Sequence, residues 1–98
     1  MSRGMIDIVL YEIDQTIESI ERFATDPGSF LDAYRLTEDE QRAFEAWDYG
    51  TLYAMGAHPF LLFQVVRSLA VREGVAMPDI IEQYREAISP HGAPDYIT

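Results

Sequence analysis

The 98 residues contain no cysteine, no lysine and only two histidines, His58 and His91. Without cysteine there are no disulfides, thiolate metal sites or thiol nucleophiles, so stability has to come from packing and nothing demands an oxidising compartment. Without lysine, seven arginines stand against seventeen acids, a formal net charge of −10 at pH 7. Phosphate binding needs a basic face that releases counterions, and this set cannot assemble one, which argues against nucleic acid as a partner. An anionic membrane surface is disfavoured on the same ground. Long apolar runs are missing too. The longest, residues 59–71, is interrupted by Gln64, Arg67 and Ser68 and is too short to cross a bilayer. Asp7, Glu12 and Asp14 break the N-terminal apolar run before a signal-peptide core can form. The expectation is a soluble, cytoplasmic chain with no membrane attachment.

What is present reads as helix. Nearly half the residues are apolar, which at this length suits one domain, residues 1–98, around one core. Ile6, Val9, Leu10, Ile13, Ile17 and Ile20 recur at intervals of three and four, predicting a first helix over 5–23 with its acids, Asp7, Glu12, Asp14, Glu18 and Glu21, on a solvated face. Asp26-Pro27 is a helix start and opens a second helix over 27–34. Thr37 and Glu40 have capping-box spacing for a third over 38–47, and Asp48 caps a short fourth over 49–55, ended by Gly56. Pro59 begins the fifth, 59–73, whose apolar residues cover more than one stripe; it is expected to be buried on several sides and to form the centre of the fold. A sixth, 79–88, precedes an extended tail, 89–98, rich in proline and glycine. No alternating run is long enough for a strand. The predicted class is all-α: a compact array of about six short helices around a central hydrophobic helix, with an extended C-terminal tail.

Little in the chain points to chemistry. His58 and His91 are 33 residues apart in no paired metal-ligand spacing, and the serines lack a nucleophile-elbow context. The acids at Glu38, Asp39 and Glu40 lie on a helix start, where solvation is expected to keep them ordinary. An enzyme built from His58, His91 and a carboxylate such as Asp48 is the weakest reading. The structural reading of His58 is that it precedes the central helix and is held by a backbone hydrogen bond; a contact role in a pocket or interface is the alternative. More informative are the aromatics Trp47, Tyr49, Tyr53, Phe60 and Phe63, clustered within seventeen residues. Most are expected in the core, and any left exposed would suit an interface or an aromatic pocket wall. His91 and Tyr96 in the tail are candidates for partner contact.

The stretch LTEDEQRAFEAWDYGTLYAMGAHPFLLFQVVRSL, residues 36–69, resembles the alpha (LigA) subunit family of extradiol aromatic-ring-opening dioxygenases of the protocatechuate 4,5-dioxygenase type. The matching features are Leu36-Thr37, Trp47-Asp48 with Gly50, Leu52-Tyr53, and Gly56-Ala57-His58-Pro59; Asp26-Pro27 with Phe30, and Gly92 with Pro94-Asp95-Tyr96, extend the likeness over residues 26–96. The resemblance implies a compact helical fold and a role in aromatic compound catabolism. It also implies a division of labour in which a larger catalytic beta (LigB-type) subunit holds Fe(II), while the alpha chain binds no cofactor and helps cover the active site. The pocket and partner candidates are therefore Trp47, Tyr49, Tyr53, His58, Phe60, His91 and Tyr96. The competing reading is a stand-alone helical interaction module, homodimeric in the absence of a dioxygenase partner.

Overall fold

A computed structural model describes residues 2–91. Ile6, Val9, Leu10 and Ile13 share one stripe of α1 (Ser2–Ile13) and are fully buried. The stripe does not run on as a single helix to residue 23 as expected. The chain breaks after Ile13 and restarts as α2 (Ile17–Thr25), because local polar side chains compete with helical continuation. Thr16 is extended and its hydroxyl accepts the Ser19 N–H at 3.0 Å, while the Asp14 carboxylate accepts the Ser68 hydroxyl at 2.6 Å. The break leaves Ile17, expected in the core stripe, 79% exposed and brings Phe23 into the core.

The later helices begin much as their caps predict and end differently. Asp26 accepts the Ser29 N–H at the start of α3 (Pro27–Leu31), which stops three residues short of the expected limit. The capping box of α4 (Glu38–Glu45) is complete: Glu40 accepts the Thr37 N–H at 2.8 Å and Thr37 accepts the Glu40 N–H at 3.1 Å. Reaching back in this way leaves Glu40 only 4% exposed, so it does not belong to the solvated first turn expected of it. α4 ends at Glu45, before Trp47, because Trp47 turns left-handed at φ 51°. The Trp47 N–H then reaches Phe44 O and the Asp48 N–H reaches Ala43 O, a Schellman termination with tryptophan where glycine is usual. Gly56 ends α5 (Tyr49–Ala54) and Gly74 ends α6 (Pro59–Arg72) with the same bond pattern at φ 105° and 83°. α7 (Met77–Ile88) starts two residues before the predicted position and runs into a 3-10 helix (Ser89–His91), so the extended tail does not begin at 89. Residues 92–98 lie outside the described residues.

One apolar cluster takes residues from all seven α-helices, and there is no strand among the described residues. α6 is central, packing against α1, α2, α5 and α7. Leu62, Val65 and Val66 are buried beneath it, and Tyr84 of α7, fully buried, donates its hydroxyl to Pro59 O at 2.8 Å. Phe23 meets Phe30, Phe44 and Trp47 edge-on, with centroids 5.6 to 6.3 Å apart. α1 and α6 are parallel neighbours, since Asp7 reaches His58 near their N-terminal ends and Asp14 reaches Ser68 farther along.

Candidate functional site

Where α6 begins, three separate stretches of chain meet. Gly56 turns the chain out of α5, and His58-Pro59 turns it into α6. His58 is extended (φ −65°, ψ 123°), and its Nδ1 accepts the Phe60 N–H at 3.1 Å, capping an otherwise orphaned helix donor. An accepting Nδ1 places the proton of the neutral ring on Nε2. The His58 N–H itself donates to Asp7 Oδ1 of α1 at 2.8 Å. His91, brought round by the 3-10 helix, lies 6.4 Å from Tyr53 between ring centroids, tilted by 49°. Asp7, Tyr53, Gly56, His58, Pro59 and His91 together line an open cleft of about 550 Å³.

The seven candidate residues thus fall into groups. Tyr53, His58 and His91 share the cleft, and Phe60, on the first turn of α6, is 53% exposed beyond it. Trp47 and Tyr49 are half-buried elsewhere: Trp47 lies 5.7 Å from Tyr49, which stacks on Tyr84 at 6.1 Å. Burial, with a smaller contribution from the Glu86 charge, pushes the Tyr49 phenol above its ordinary value. Tyr96 lies outside the described residues. Asp7 is the cleft residue that sequence reasoning assigned elsewhere, to a solvated face; its partner is 51 positions away, and no local spacing signals that bond.

Among the described residues no three His, Asp or Glu side chains converge to hold an ion. His58 Nδ1 and Asp7 Oδ1 already accept backbone N–H groups, and Asp48 is committed to α5, accepting the Thr51 N–H at 3.3 Å and the Thr51 hydroxyl at 2.7 Å. What the cleft offers is shape: the Tyr53 and His91 rings beside a His58 imidazole set by its cap at the mouth of the central helix. No helix among the described residues is long and apolar enough to cross a membrane.

The model of one protein family, described as the LigA subunit of the aromatic-ring-opening dioxygenase LigAB, matches residues 10–87. No curated protein and no solved structure matches the chain.

Proposed function

The chain belongs to the LigA subunit family of aromatic-ring-opening dioxygenases, and from that premise we propose that it is the non-catalytic small (alpha) subunit of an extradiol ring-cleavage dioxygenase. In this reading it joins a larger LigB-type beta subunit in a cytoplasmic hetero-oligomer. The beta subunit holds Fe(II) and opens protocatechuate-like catechols; this chain covers and shapes the pocket. Its contribution is to exclude water, order the surrounding loops and hold the assembly together.

The observation that carries the proposal is the family match, which runs from α1 into α7 and includes Tyr53 and His58 of the cleft. The geometry agrees with a covering role. His58 Nδ1 and Asp7 Oδ1, each holding a backbone N–H at the start of α6, give the cleft a preorganised wall and are not standing ready for proton transfer.

Oxygen uptake with protocatechuate and Fe(II) tests it, comparing a candidate beta subunit alone, this chain alone, and the two copurified. Activity that appears or rises only with both present is the expected result. Failure to copurify, together with unchanged activity on mixing, would remove the small-subunit reading for that partner.

A further inference from the structure

The outward faces of this acidic protein are not equally acidic. The exposed side of α2 carries Glu18 and Glu21, that of α4 carries Glu38, Asp39 and Glu45, and that of α7 carries Asp79, Glu82 and Glu86. On α1 the residues opposite the buried stripe are Gly4, Ile8 and Tyr11, with no charge among them, and Ile8 and Tyr11 are 50% and 55% exposed. The matching stripe of α6, at three- and four-residue spacing, is Phe60, Gln64, Arg67 and Val71, with Phe60 and Val71 both more than half exposed. Because α1 and α6 are packed side by side and run parallel, these stripes flank one seam; Arg67 is the charged residue among the seven stripe positions, and the half-exposed Asp7 and Asp14 lie in the seam between them. The acids that α1 does carry at its seam with α6 are turned to internal work: Asp7 holds His58 and Asp14 holds Ser68. Scattered exposed apolar residues are ordinary on a protein surface. A pair of adjacent apolar stripes, in a chain whose exposed α2, α4 and α7 faces all carry acids, marks a surface that meets protein.

We propose that this α1–α6 face, centred on Tyr11, Ile8, Phe60 and Val71, is where the larger dioxygenase subunit docks. The assignment rests on the small-subunit reading above and adds to it the face and the chemistry of the partner. Charge selects the occupant. Glu12 flanks the α1 stripe, Glu73 beyond the α6 stripe is already paired with Arg72 at 2.7 Å, and the chain around the face carries a net charge of −10, so the fitting surface has an apolar centre and an arginine- or lysine-bearing rim. A second copy of this chain would set a net charge of −10 against another of −10 and acidic rim against acidic rim. The cleft at His58 lies at the N-terminal end of the same helix pair, so a subunit seated on this face reaches it by way of Phe60.

The test uses the full chain and a candidate large dioxygenase subunit, with affinity measured for wild type, Ile8→Glu, Val71→Glu, the milder Tyr11→Ala, and Met77→Glu as an exposed control on α7. Circular dichroism confirms the fold of each variant, and Tyr11→Ala carries the test if a charged variant fails to fold. The expected result is that wild type and Met77→Glu bind alike, that the charged α1 and α6 variants lose at least about tenfold in affinity, and that wild-type binding weakens with added NaCl. If the wild type binds and the face variants bind equally well, this face is the wrong one and the small-subunit reading stands. If the wild type does not bind, both fall. Salt-independent binding overturns the basic rim. A wild-type homodimer in sedimentation that the same substitutions convert to monomer makes a second copy the occupant and overturns the proposal.

Discussion

The carboxylate of Asp7, in the first helix, accepts the backbone N–H of His58 at 2.8 Å, across 51 positions of sequence. The bond pins the turn into α6 from α1, and the Asp14–Ser68 bond ties the other end of the same seam. Asp7→Ala is expected to lower stability by about 1–2 kcal/mol, the range for a hydrogen bond to a charged acceptor near the surface. Asp7→Asn retains an Oδ1 acceptor and should lose roughly half as much. Urea unfolding of both variants measures the difference, and equal losses would show that the carbonyl geometry is not what matters.

Gly50 stands where α5 approaches α7. A Cβ there would meet Ala87 O at 2.7 Å, a backbone atom that cannot swing aside. In an unconstrained helix Gly→Ala stabilises by about 1 kcal/mol. Here overpacking reverses the sign, and Gly50→Ala should destabilise by about 1–3 kcal/mol. A rise in melting temperature would contradict the close approach.

Trp47 joins two opposing effects. Its indole packs on Phe23 and Tyr49, yet its backbone sits at φ 51°, where an L-residue costs about 1–2 kcal/mol. Both Trp47→Ala and Trp47→Gly lose the ring contacts, and only glycine relieves the backbone. The glycine variant should therefore be the more stable of the two by about 1 kcal/mol, the reverse of the usual order. Thermal melts of the pair decide it.

Tyr49 and Tyr34 both have phenols raised above the ordinary value of 10.0, in each case first by burial and then by a nearby carboxylate, Glu86 and Glu12 respectively. A raised folded-state value means that the folded chain holds the proton more tightly than the unfolded chain. The associated stability is fully present below about pH 10 and is lost as pH rises from there through the folded-state values. Absorbance titration at alkaline pH should show the Tyr49 and Tyr34 phenols ionising above the ordinary value of 10.0, and Tyr49→Phe should soften the alkaline loss of stability. Ionisation of Tyr49 and Tyr34 at the ordinary value in the folded chain would contradict the burial argument.

Much of this was legible from residue spacing, because caps and glycine stops act within one helical turn. Asp26, Thr37 with Glu40, Asp48, Gly56, Pro59 and Gly74 all mark helix ends where the structure has them. The break between α1 and α2 was not legible, since an unbroken apolar period crosses it. Its causes are the short-range cap at Thr16 and the bond from Asp14 to a residue 54 positions on. The left-handed turn at Trp47 was likewise hidden, since nothing in a tryptophan signals positive φ. For the site, the sequence motif around Gly56–Pro59 pointed to the right turn, and the aromatic cluster pointed only to its neighbourhood.

By itself, then, the sequence determined the all-helical class, most of the helix starts, the acidic character and the family likeness, because these depend on composition and on contacts a few residues apart. Only the tertiary structure decided which residues stand together. It separated Trp47 and Tyr49 from the cleft, brought Asp7 and His91 to His58, and left Ile8, Tyr11, Phe60 and Val71 on one open face. Those outcomes depend on which faces of distant helices meet in the core, and that is set by the packing of the whole chain at once.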